Sequence, residues 1–126
     1  MSMRPLPIPI LVLIILNGLA ALMSLISLQI VEGWGAAIAL VLLVFHIFAA
    51  LGLTRQMNWA RRSMIAYAVL GLIAIGAGVP YSMTEGREHA WGLIDALVIA
   101  VAIAFAAFFV WVVHYLHKPE VKDVFH

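Results

Sequence analysis

Apolar residues along this chain run in four long blocks, and polar residues collect in the short gaps between them. The blocks cover about Pro7 to Leu28, Trp34 to Leu53, Ser63 to Val79 and Gly92 to Leu116. A helix rising ~1.5 Å per residue needs about 20 mostly apolar residues to cross a ~30 Å hydrocarbon core, and each block approaches or exceeds that length. The breaks are marked by Glu32-Gly33, by the segment Arg55 to Arg62, by Pro80 and by Lys118-Pro119, all residues that interrupt an apolar helix. This pattern predicts an all-α integral membrane protein, one transmembrane domain of four spans. Short connections make consecutive helices antiparallel neighbours, so the expected architecture is an up-down-up-down four-helix bundle. Arg4 and the small residues Leu19-Ala20-Ala21 give the first block some likeness to a secretory signal. Its apolar run continues to Leu28, however, and reads as a span.

Composition sharpens the picture. The chain is 66% hydrophobic and 10% charged, whereas soluble domains are about half apolar and about a quarter charged. A water-soluble fold of this size has too little interior to hide that much apolar surface, so lipid is the expected solvent. The 7 Lys and Arg nearly balance the 6 Asp and Glu, and no basic run is interleaved with aromatics, which sets nucleic acid aside as a partner. The absence of cysteine excludes disulfides, thiolate metal sites and cysteine nucleophiles.

Charge placement gives an orientation. Arg4, Arg55, Arg61, Arg62, Lys118 and Lys122 flank one side of the four blocks, and Arg87 alone accompanies Glu32, Glu85 and Glu88 on the other. By the positive-inside rule both termini lie in the cytoplasm, in what the pattern suggests is a prokaryotic cytoplasmic membrane. Arg61 and Arg62 are expected to anchor the third helix at anionic headgroups, and Trp34 and Trp91 to sit at the outer interface. Membrane lipids are thus the first expected partners.

Inserted helices associate by close packing, so small residues four apart mark contact faces. The fourth span offers Ala96, Ala100 and Ala104, and the third offers Ala74 and Gly78. These predict packing within the bundle, with other membrane protein subunits or with a second copy. Polar groups inside lipid are functional candidates by default. His46 lies about 12 Å inside the second span at helical rise, where an imidazole can hydrogen-bond a neighbouring helix, relay protons or ligate a heme iron or a chlorin magnesium. His114 is the weaker candidate for a second axial ligand. Asp95 enters the fourth span near its outer end, where a carboxylate caps a helix and meets its dipole; with Asn17, Ser24, Ser27 and Tyr67 it is also a candidate for an ion or proton path. The pairs His114/His117 and Glu85/His89 match no zinc signature. Neither a nucleophile elbow, a P-loop, a dinucleotide fingerprint nor a catalytic carboxylate pair is present, so no enzymatic activity and no metal are expected.

Three short motifs remain: Arg4-Pro5-Leu6 at the start, Asn58-Trp59-Ala60-Arg61 before the third span, and Tyr115-Leu116-His117-Lys118-Pro119-Glu120-Val121-Lys122 followed by Phe125. In these the chain resembles a broad family of small four-span membrane proteins of bacteria and archaea. The resemblance implies fold and orientation and carries no activity with it. Val121 and Phe125 are spaced so that the tail lies along the bilayer surface or docks on a partner. The functional expectation is a non-enzymatic accessory or interaction subunit of a larger membrane complex, or a small oligomer. A cofactor-bearing subunit with His46 as ligand and a small transporter or channel are the alternatives.

Overall fold

The computed structural model describes residues 5–84 and 92–126, with residues 81–84 by backbone alone. The helices are α1 (Ile8–Ile30), α2 (Trp34–Thr54), α3 (Asn58–Thr84), α4 (Leu93–Leu116) and the one-turn α5 (Pro119–Lys122), and no strand occurs among the described residues. Four of these are long and apolar enough to cross a membrane. The all-α expectation holds, and the protein is an integral membrane protein. Arg4, Glu85, Arg87, Glu88, His89 and Trp91 lie outside the described residues.

Helix limits follow local chemistry as well as apolarity. α1 begins at a proline pair: the Pro7 carbonyl accepts from the Ile10 and Leu11 N–H groups at 3.0 and 3.1 Å, and Pro9 occupies a first-turn position where no N–H is needed. The α1–α2 connection is three residues long, and Gly33 takes φ 65, a conformation that disfavours a side chain. α3 starts at Asn58, ahead of the apolar block at Ser63, and runs through Pro80 to Thr84. Apolarity locates the lipid-embedded stretch and not the helix end, which extends into the polar interface. Pro80 does not end the helix because it removes a single donor from the ladder only one turn from the terminus, a loss that membrane helices accommodate.

The polypeptide forms two compact units, Met1–Ser63 with Pro119–His126, and Met64–Lys118. In the first, α1 and α2 pack side by side. The buried positions of α1 are Ile10, Leu13, Asn17, Ala21 and Ser24, a three-and-four spacing that draws one stripe down the helix. α2 answers with Ala39, His46, Ala49, Gly52 and Leu53. Small residues thus make up much of this contact. At its far end α2 also meets the first turn of α3: a Cβ on Gly52 would stand 2.6 Å from the Ala60 Cβ and 2.8 Å from the Trp59 ring.

The same unit contains a feature that differs from expectation. The segment after α4 folds back onto the protein's own α2–α3 turn, with Val121 and Phe125 buried, and is therefore neither spread on the bilayer nor reserved for a partner.

In the second unit the Phe109 ring of α4 lies over Gly71 of α3, 2.7 Å from where a Cβ would stand, and meets Tyr67 edge-on at 6.1 Å. Along α4, Trp111 stacks on Tyr115 at 5.4 Å, and the Lys118 ammonium lies 6.0 Å from the Tyr115 ring, a cation–π geometry. Among the described residues of this unit, the buried side chains are Met64 and Ala68 near the start of α3 and Asp95, Val112 and Leu116 in α4.

Candidate functional site

Asn17 and His46 form the one polar centre shared by α1 and α2. The Asn17 amide donates from Nδ2 to the Leu13 carbonyl at 2.8 Å, which identifies Oδ1 as the oxygen facing α2. His46 Nδ1 lies 2.9 Å from that oxygen. Oδ1 can only accept, so Nδ1 carries the proton and donates it. Asn17 is 3% exposed and His46 6%, and the Phe45 ring stands edge-on to the imidazole at 5.3 Å. A buried polar group without a partner in hydrocarbon is costly; here each side chain satisfies the other. The arrangement fixes the ring's tautomer and orientation and sets the rotational register of the two helices.

The hydroxyl side chains of the first two spans turn back on their own helices. Ser24 Oγ donates to Ala20 O, and Ser27 Oγ to Met23 O, both at 2.9 Å. Thr54 Oγ1 does the same to Ala50 O at 2.7 Å. This back-bonding satisfies a hydroxyl without a neighbouring helix, so Ser24 and Ser27 do not extend the Asn17 centre into a continuous polar line. Tyr67 belongs to the second unit, against Phe109.

Asp95 is 4% exposed and accepts the Gly92 N–H at its Oδ2, 3.0 Å away. It stands three residues into the first turn of α4, where a carboxylate reaching back to the cap amide satisfies an orphan donor and meets the positive end of the helix dipole. The neighbouring Leu93 and Ile94 are exposed.

His114 is exposed near the end of α4, in contrast to the buried His46. His117 donates its Nδ1 proton to the Val113 carbonyl at 2.7 Å, so one ring nitrogen of the His114/His117 pair is committed to its own helix. No cluster of three metal-ligating side chains occurs among the described residues.

The interface residues divide. Trp34 is 87% exposed at the start of α2, and Arg62 is exposed, as headgroup contact requires. Arg61 is 8% exposed and donates from Nε to Asn58 Oδ1 at 3.0 Å; unlike the exposed anchor expected from sequence, it is buried against the first turn of α3. Ala96, Ala100 and Ala104 of α4, with Ala74 and Gly78 of α3, are all exposed.

Sequence reasoning named Asn17 and His46 separately without pairing them, and it missed Gln56. Gln56 is 1% exposed with φ 55, at the turn on which the tail closes. A glutamine in a polar gap gives no sign of this in sequence, since glutamine is not among the residues that favour a left-handed backbone. Compared with protein-family models, with curated proteins and with solved structures, the chain matches none.

Proposed function

We propose that this chain is a non-enzymatic integral membrane protein that works by association, as an accessory or interaction subunit of a larger membrane complex or as a small homo-oligomer. The observation that carries the reading is the exposure of Ala96, Ala100, Ala104, Ala74 and Gly78. In the first unit the buried positions of α1 and α2 include the same residue types, Ala21, Ala39 and Ala49. Small side chains bring no added apolar surface to lipid, but they let a neighbouring helix approach within van der Waals range. The uncovered stripes of α3 and α4 are the same device turned outward.

The two alternatives have less support. Asn17 gives His46 a structural partner, which favours a helix-pinning role over cofactor ligation. The Gly92 bond gives Asp95 a capping role, which favours helix termination over ion conduction. The orientation with both termini cytoplasmic is supported by the cation count and by the tail's bonds to the α2–α3 turn, which require α3 and α4 together to leave and return to one side of the membrane.

Ala100→Leu is the test. Native mass spectrometry of protein released gently from its source membranes should show additional protein mass, either foreign subunits or further copies, and the substitution should remove that mass while leaving a folded chain. Assembly that survives Ala100→Leu would mean that the α4 stripe faces lipid, and the reading would fail.

A further inference from the structure

After α4, Pro119 opens the one-turn α5, and the segment ends with main-chain bonds to the α2–α3 turn. The His126 N–H donates to the Gln56 carbonyl at 2.8 Å, and the His126 carbonyl accepts the Asn58 N–H at 2.8 Å. These bonds bracket Met57, so residue 126 lies opposite residue 57 in the pairing pattern of parallel strands. Val121 is 4% exposed and Phe125 7%, while Glu120, Lys122 and Asp123 are exposed. The tail has an inner apolar side and an outer charged side, and its inner side is occupied.

The seat has its own needs. The Asn58 N–H opens α3 and has no acceptor within that helix; the tail carbonyl supplies one. The Gln56 carbonyl belongs to a residue held in a left-handed conformation, which costs a non-glycine residue energy and persists only when its surroundings hold it. The tail N–H is one of those restraints. Both bonds are made to main chain, so residue identity at 126 is not what selects the tail. Selection falls to the two buried side chains, as in strand addition, where backbone bonds supply affinity and side-chain pockets supply specificity.

We propose that residues 119–126 form an intramolecular latch that opens and closes in cis on the α2–α3 turn, and that this turn is a seat for the chain's own tail, selected by the burial of Val121 and of Phe125, one residue before the paired main chain. The hinge is Lys118-Pro119, where the regular helix of α4 has already ended. When the latch is closed, the polypeptide entering α3 and the polypeptide leaving α4 are tied at one point. When it is open, Phe125 and Val121 are released together with the seat.

The chain has no cysteine, so the pair Met57→Cys and His126→Cys reports the latch directly; both native side chains are exposed, and neither substitution opens the interior. Under mild oxidation in membranes the disulfide should form within one chain, and adding Phe125→Ala should lower the closed-to-open ratio about tenfold, the change that one to two kcal/mol brings to a two-state ratio, and with it the yield. Cross-links that join two chains, or a yield indifferent to Phe125→Ala, would overturn the proposal. A second measurement needs no cysteine. In detergent micelles trypsin should cut after Lys122 slowly in the native chain and faster in Phe125→Ala, the Lys118-Pro119 bond being protected by its proline. Equal rates in the two chains would also overturn it.

Discussion

The α1–α2 hairpin and the α3–α4 segment are both apolar enough to cross lipid, and they have opposite packing habits. In the most apolar stretches of α1 and α2, 22% and 28% of residues are buried, against 11% and 6% in α3 and α4. The hairpin closes on itself: small residues line its buried faces, and Asn17 and His46 bond across it. Among the described residues the α3–α4 segment buries Met64 and Ala68 early in α3, Asp95 in the first turn of α4 and Val112 and Leu116 in its late turns, and leaves the alanine and glycine stripes exposed. The lesson is that hydropathy, which is higher for α4 (2.9) than for α1 (2.5), says nothing about how much of a membrane helix is covered by protein. Packing in lipid follows small residues and polar pairs, and these are spent differently in the two regions.

The largest expected effect is where α2 meets the first turn of α3, within the same compact unit as the hairpin. Gly52→Val should destabilise that unit by about 3 kcal/mol, at the upper end of overpacking costs, because the obstructing Ala60 Cβ is fixed to the backbone and cannot swing aside; a denaturant titration in micelles measures it. A small effect there would mean that the first unit is as sparsely packed as the second, and the contrast would collapse.

Next comes the polar pair. Asn17→Leu removes the acceptor facing His46 Nδ1 and should cost about 1–2 kcal/mol, within the range for a buried donor that loses its partner and for interhelical bonds in membranes. The double variant with His46→Leu should recover part of that loss. If the double variant is no better than Asn17→Leu alone, the bond is not what couples these positions.

The smallest effect tests the open face. A Cβ at Gly78 meets nothing within 4 Å, so Gly78→Ala should stabilise the isolated chain by about 0.5–1 kcal/mol through helix propensity and yet weaken association with a partner. A destabilised isolated chain would show that this glycine is already packed and that the two regions are more alike than described.

Much of the fold was legible in the sequence, and for a physical reason. Crossing lipid forces every backbone group into a helix, so an apolar run of sufficient length has one structural solution. Three of the four helices begin within a residue of their apolar blocks. α3 does not, because Asn58 to Arg62 are helical but not apolar, and nothing in hydropathy registers a helix that continues into the interface. Candidate residues were legible one at a time: His46, Asn17 and Asp95 stand out as polar groups among apolar ones. Their relations were not. That Asn17 reaches His46 depends on the rotational phase of two helices, and that Ser24 and Ser27 turn back on their own carbonyls depends on rotamers. The seat at Gln56 was invisible because it is made of main-chain atoms and a backbone angle, to which the tail's side chains give only an indirect clue.

The tail's closure on the α2–α3 turn has a consequence for biogenesis. Gln56 and Asn58 emerge from the ribosome long before His126, and the bonds between them close a loop that contains two complete membrane crossings. Such a contact is among the most non-local in the molecule and is entropically the most expensive to bring together. It forms only after α3 and α4 have both been inserted in the correct sense, since a single missed crossing would leave the tail on the far side of the bilayer. Closure therefore follows completed insertion, and chains that fail to insert correctly would carry Phe125 and Val121 uncovered.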